Sequence, residues 1–195
     1  MFPSDHFILD ERTFMGSVAE VAGWVSQHPG WIVLLAARPS EPEREYGWIE
    51  PGEILDRTTT GPLRRVRRFW EKPSAETART LLARGCLWNT LVFVAKASRL
   101  LDAGQQFLPR LHDQLARIAP FSDTDDEASA TRQAYLLAPT ANFSRSILEP
   151  CPPSLAVLGL RALTWCDWGT PERVLKSLNM AGISPPWLSA WERSA

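Results

Sequence analysis

Two periods of apolar residues run along the chain, and they give most of the expected elements. Phe14, Val18, Val21, Ala22 and Val25 share one helical stripe, which predicts an amphipathic helix from a cap at Asp10 to about Gln27. His28-Pro29-Gly30 ends it. Trp31–Ala37 is then an unbroken apolar run of strand length, the pattern of a strand covered on both faces. Helix, short turn and buried strand make half of a βαβ unit and point to an α/β fold. After a polar loop from Arg38 to Glu45, Tyr46–Glu50 reads as a short strand ending at a Pro51-Gly52 turn, and Leu63–Trp70 as another strand. Ser74 caps an expected helix reaching Arg84 and stopped by Gly85, and Cys86–Ala95 is apolar enough for a strand. From Lys96 to about Ala138, Leu100, Leu101, Phe107, Leu108, Leu111, Leu115 and Ile118 recur at helical spacing. Leu155–Leu160 and Leu163–Cys166 read as strands. Thr170-Pro171-Glu172 opens a last helix ending near Gly182, with Thr as cap, Pro at the first helical position and Glu in the first turn.

Composition narrows the class without naming a function. At 195 residues the chain can hold one domain with a real core, and 45% hydrophobic with 22% charged residues is ordinary for a soluble globular protein. A net charge of -1 gives no general attraction to nucleic acid or an anionic membrane. No apolar run reaches the length of a membrane span, and the first residues lack the basic and apolar regions of a signal peptide. Cys86, Cys151 and Cys166 have no metal-type spacing and read as reduced thiols of a cytoplasmic protein. Arg64, Arg65, Arg67 and Arg68 alternate along one strand. They could form a phosphate patch, although a solvated strand face is the commoner reading. The acidic run Asp123–Glu127 is read as a solvated loop and helix start.

Three constellations carry candidate chemistry. Asp5 and Asp167 are each expected at or just after the C-terminal end of a strand, where open α/β sheets place ligands. Brought together, two carboxylates could hold Mg²⁺, a hard cation that takes few protein ligands; separately, each could be a turn former or helix cap. In Phe69-Trp70-Glu71-Lys72-Pro73, Lys72 can reach a phosphate and Glu71 can accept from hydroxyls, or the two form a surface pair. Asn89, in an otherwise apolar strand, must satisfy its amide with a polar ligand or with backbone. His6 is either a ligand contact or a turn residue. Ser144 has no His/Asp partner pattern, so a hydrolase triad has no support.

Five motifs occur in a telling order: Pro3-Ser4-Asp5-His6, Tyr46-Gly47-Trp48-Ile49, Phe69-Trp70-Glu71-Lys72-Pro73, Gly85-Cys86-Leu87-Trp88-Asn89 and Trp165-Cys166-Asp167-Trp168-Gly169-Thr170. Together they resemble the sugar-phosphate nucleotidyltransferases, and within them the mannose-1-phosphate guanylyltransferases. The resemblance implies a Rossmann-like, GT-A-like mixed sheet flanked by helices, with a partial nucleotidyltransferase domain over 1–182 and a tail over 183–195. It implies that GTP and mannose 1-phosphate give GDP-mannose and pyrophosphate, with Mg²⁺ and cationic groups stabilising the transferring phosphate. By motif, Asp5 and Asp167 would hold the metal and Lys72 would contact the sugar phosphate. Glu71 and Asn89 would bind sugar hydroxyls, Gly47 would admit the ring, and Trp48 and Trp88 would wall the pocket. A homo-oligomer is possible.

The family opens with a glycine-rich loop, G-G-x-G-T-R-L, that wraps the triphosphate, and no such segment occurs in these 195 residues. The chain is therefore expected to be N-terminally truncated, to hold the sugar half of the site, and to be inactive and poorly stable by itself. A non-catalytic sugar-phosphate-binding or interaction domain, and a sibling nucleotidyltransferase for another sugar 1-phosphate, are the competing readings.

Overall fold

The computed structural model describes residues 1–160, 164–188 and 191. Among the described residues, seven strands and six α-helices follow in order: β1 (His6–Ile8), α1 (Glu11–Gln27), β2 (Ile32–Ala37), β3 (Gly47–Arg57), β4 (Pro62–Glu71), α2 (Ala75–Ala83), β5 (Leu87–Ala95), α3 (Ala97–Phe107), α4 (Pro109–Ala116), α5 (Glu127–Leu137), β6 (Leu155–Gly159), β7 (Trp165–Asp167) and α6 (Pro171–Ala181). The local signals act as the pattern predicts. Asp10 Oδ1 accepts from the Thr13 N–H at 3.1 Å, and Ser74 Oγ accepts from the Thr77 N–H at 3.2 Å. Gly182 closes α6 at φ +67°, the left-handed conformation a side chain disfavours.

The main sheet is mixed. Its order is β2-β5-β3-β4-β6, and β6 pairs back to β2, so the sheet closes on itself. The β2–β6 pair is parallel and the other four are antiparallel. Every residue of β2 is buried, as its apolar run predicts, and the strand period explains how. Val33 and Leu35 face α1, packing with Val21, Val25 and Phe14. Ile32, Leu34 and Ala36 face the opposite way, into a core with Ile49, Val66, Phe69, Phe93 and Leu148.

The structure corrects three boundaries. Pro51-Gly52 is not a turn: β3 continues through it to Arg57, and the pairing with β4 shifts register on both sides of Pro51. A proline has no N–H for the ladder and is accommodated where the ladder is irregular. The strand expected over Leu163–Cys166 begins outside the described residues; the described strand is Trp165–Asp167. Asp5 does not end a strand but precedes β1 in a turn, and β1 pairs only with β7, apart from the main sheet.

The arginines of β4 have ordinary strand-face partners. Arg64 Nη1 donates to Gly52 O at 2.8 Å, Arg65 pairs with Glu53 at 2.5 Å, and Arg67 lies 3.5 Å from Glu50. Arg68 lies over the Trp70 ring at 4.8 Å. Cys86, Cys151 and Cys166 are buried free thiols. Among the described residues, no helix is long and apolar enough to cross a membrane.

Candidate functional site

Register assembles the site. Gly47 pairs with Glu71 across β3–β4, and Trp48 pairs with Trp70 on one side and Trp88 on the other. One rung thus carries Glu71, Gly47 and Asn89 across three strands, and the next carries Trp70, Trp48 and Trp88. Successive side chains point to opposite faces of a sheet, so the polar rung and the tryptophan rung face opposite ways. The polar rung opens into a cleft of about 140 Å³ lined by His6, Glu45, Tyr46, Gly47, Glu71, Asn89, Thr90, Leu91, Ser144, Trp165 and Asp167. Gly47 leaves the space at its centre. A Cβ there would meet Phe69 Cζ at 2.9 Å, Glu71 Oε2 at 3.1 Å and Asn89 Cβ at 3.2 Å.

The strand next to Asn89 is bulged. Leu35 pairs with Val92 and Ala36 with Asn89, so Thr90 and Leu91 are extra residues in β5. Thr90 Oγ1 donates to Leu35 O at 2.6 Å and holds the bulge, while Asn89 Oδ1 accepts from the Leu91 N–H at 3.1 Å. Leu91 has φ +54° and Lys72 has φ +48°. These are two of the three non-glycine residues with positive φ among the described residues, and both border the cleft region. Such conformations and bulges concentrate at binding sites, where surrounding structure holds them.

The second wall comes from the β1–β7 ladder, where His6 faces Asp167 and Ile8 faces Trp165. Trp165 Nε1–H donates to His6 Nδ1 at 3.2 Å, which leaves the ring proton on Nε2. His6 Nε2 lies 3.9 Å from Asp5 Oδ1. Burial lowers the His6 pKa, against the upward pull of Asp5 and Asp167. The Trp168 N–H donates to Asp5 O at 2.7 Å, which ties the turn carrying Asp5 to the end of β7. The fold therefore brings Asp5 and Asp167 to the same end of one ladder, with His6 between them.

Asp167 is held by a network. Arg173 Nη1 donates to both of its oxygens at 2.9 Å, and Tyr46 OH donates to Oδ1. Arg173 Nη2 reaches Glu43 Oε2 at 2.7 Å, and its guanidinium lies over the Tyr46 ring at 4.7 Å. Burial pushes Glu43 up, but the N–H groups of Glu45 and Arg44 and the Arg173 guanidinium outweigh it and hold the carboxyl below its usual range. Burial, then Asp167, pushes the Tyr46 phenol upward.

The remaining motif residues divide. Lys72 is half exposed and its Nζ lies 3.1 Å from Glu45 Oε2, at the cleft edge. Trp48 is fully buried, with Nε1 donating to Glu43 O at 2.8 Å, and lies in the core instead of lining the cleft. Trp88 is 7% exposed and packs edge-on against Tyr46 and Trp48, again behind the lining. The aromatic lining is Tyr46 and Trp165 instead. Glu45, Tyr46, Thr90, Leu91, Ser144 and Trp165 were not among the expected site residues. The alternation Gly47-Trp48 and Trp88-Asn89 was the available signal: if glycine and asparagine face a ligand, the tryptophans face away.

Glu71 is half-buried, and its own N–H donates to Glu149 Oε1 at 2.7 Å. Burial raises its carboxyl above the usual range, against Ser144, Lys72 and Arg145. A carboxyl whose folded pKa is raised binds a proton in the folded state before the unfolded one, so stability falls as pH rises through that window. Glu71→Gln is accordingly expected to raise the melting temperature at pH 7 and to flatten the pH dependence above the unfolded carboxyl range. Thermal melts from pH 4 to 8 check this; an unchanged slope counts against it.

The donor set suits a hard divalent cation. Asp5 is exposed, and among the described residues Asp167 Oδ2 accepts only from Arg173, which leaves one of its acceptor positions without a described donor. Mg²⁺ needs as few as one or two carboxylates and keeps its waters. Among the described residues, no group of three or more His, Cys, Asp or Glu could hold a metal ion. Around the cleft, Asp5, Glu43, Glu45, Glu71, Glu149 and Asp167 outnumber Lys72, Arg145 and Arg173.

Known proteins resemble the chain along nearly its whole length. The family model described as nucleotidyl transferase matches residues 1–181. The xanthan biosynthesis protein XanB of Xanthomonas campestris is 30% identical over 159 residues, 80% of this chain and 32% of that protein. The mannose-1-phosphate guanylyltransferase ManC of Salmonella typhimurium is 27% identical over 194 residues, 98% of this chain and 36% of that protein. The chain thus spans about a third of the length of these curated relatives. A crystal structure described as a mannose-1-phosphate geranyltransferase from Thermus thermophilus superposes with a TM-score of 0.73 at 25% identity, covering 95% of this chain and 49% of that one.

Proposed function

The chain belongs to the nucleotidyl transferase family, and from that premise we propose that its cleft binds mannose 1-phosphate for guanylyl transfer from GTP, giving GDP-mannose and pyrophosphate. The observation that carries the reading is the polar rung Glu71–Gly47–Asn89. It sets an acceptor and an amide on either side of a position with no side chain, where a sugar ring can approach backbone. Glu71 accepts from ring hydroxyls and Asn89 can both donate and accept. Tyr46 and Trp165 give apolar edges. Lys72, released from Glu45, reaches the phosphate as a point charge. Asp5 and Asp167 would hold Mg²⁺, which when bound offsets the charge of the phosphate. The protein's own part is orientation: the strained Leu91 and Lys72 backbones and the Thr90-pinned bulge fix the ligand's surroundings before it arrives. The sugar and the base follow the relatives' names; the pocket chemistry supports a hydroxyl-rich phosphate.

Titration calorimetry of the chain with mannose 1-phosphate, glucose 1-phosphate and free mannose, each with Mg²⁺, tests the reading. Mannose 1-phosphate is expected to bind most tightly, and Asn89→Ala to weaken it at least tenfold. Equal affinity for glucose 1-phosphate would reassign the sugar, and binding of none of the three would sink the proposal.

A further inference from the structure

Arg173 does something the motif reading does not ask of it. It clasps the one carboxylate that the ladder offers to a cation from β7. Its guanidinium bonds both oxygens of Asp167, each at 2.9 Å. Tyr46 OH also bonds Oδ1, so both acceptor positions of that oxygen are filled. A divalent cation binding Asp167 would therefore sit against a fixed positive charge, and like charges at this range in a partly buried site repel strongly. Arg173 also has somewhere to go. Nη2 is bonded to Glu43 Oε2 at 2.7 Å and the guanidinium rests on the Tyr46 ring. It can release Asp167 and keep one of its two carboxylate partners, so displacement leaves the guanidinium half-paired and not unpaired.

We propose that Arg173 is a resident counter-cation that competes with the divalent cation for Asp167 and so sets the metal affinity of the site. This rests on the reading above only in taking Asp167 as a cation ligand, not on the sugar or the base. The geometry makes the exchange two-state. With Arg173 on Asp167 the carboxylate is neutralised and β7 is tied to α6 and the loop carrying Glu43. With Arg173 on Glu43 alone, Asp167 is open to the cleft.

The test is Mn²⁺ binding to the 195-residue chain, read as loss of the free-ion electron paramagnetic resonance signal, with no sugar or nucleotide present. Arg173→Gln is expected to bind Mn²⁺ at least tenfold more tightly than wild type. Arg173→Lys, which keeps the charge, is expected to stay within about threefold of wild type. The gain should vanish in Arg173→Gln/Asp167→Asn. Equal or weaker binding by Arg173→Gln overturns the proposal, as does a gain that survives Asp167→Asn. Wild-type binding that needs Asp167 but ignores Arg173 would leave the metal reading standing and remove only this inference. If Arg173→Gln loses its fold by circular dichroism, wild type decides: Mg²⁺ is expected to shift the Arg173 Nε–H resonance as it binds, and binding with that resonance unmoved overturns the proposal.

Discussion

Gly47→Ala is expected to lower mannose 1-phosphate affinity on the order of 100-fold, and to destabilise the chain by about 1–3 kcal/mol. The added methyl would lie 2.9 Å from Phe69 Cζ, inside any real carbon–carbon contact. Phe69 cannot retreat freely, because it is 3% exposed and packs in the core with Ile49 and Val66. The strain must then pass to the other two neighbours, Glu71 and Asn89. Those are the two polar groups proposed to hold the sugar, so the same displacement that strains the core misplaces the ligand contacts. The effect is one of space, since Gly47 is not in the left-handed region. Urea denaturation and titration calorimetry on the same preparation measure both. A variant with wild-type affinity would show that the ring does not approach this backbone.

Much of the frame was legible because its signals are local. Asp10 and Ser74 cap as their residue types predict, and the unbroken run at β2 is buried on both faces. Closure of the sheet was not legible, since it depends on β4 reaching β6, a pairing between residues some ninety positions apart, such as Leu63 and Leu158. The Pro51-Gly52 pair misled for a physical reason: the same dipeptide serves a turn or a shifted register, and only the partner strand decides. The site followed the same division. Gly47, Glu71, Asn89 and Asp167 line one cleft, whereas Trp48 and Trp88, placed in the pocket wall by motif, lie behind it because parity along the strand turns them away. Trp165 reaches the cleft on β7, which pairs with β1, and Tyr46 bonds Asp167 of the same strand, long-range contacts that no local window contains.

Asp167→Ala should be the most damaging single change to the network, about 2–4 kcal/mol of stability, because it separates a carboxylate from a guanidinium that stays behind. Breaking a buried ion pair by removing one partner costs about 3–5 kcal/mol, as the other charge is left desolvated. Here Arg173 is 19% exposed at its side chain and keeps Glu43, so the cost is expected around and below the lower end of that range. Tyr46 also loses its acceptor, which adds the penalty of an unsatisfied hydroxyl. The damage belongs to the half-paired cation as much as to the lost carboxylate. Arg173→Met in the same chain should then restore part of the loss, and the double-mutant cycle should give a coupling above about 1 kcal/mol. Asp167→Asn should fall between, since its amide oxygen still accepts from Tyr46 while the charge is gone. Simple additivity in the urea-denaturation cycle would mean that Asp167 and Arg173 act independently. It would leave the carboxylate to ligand binding alone, with α6 held to β7 by packing such as Ser177 and Cys166.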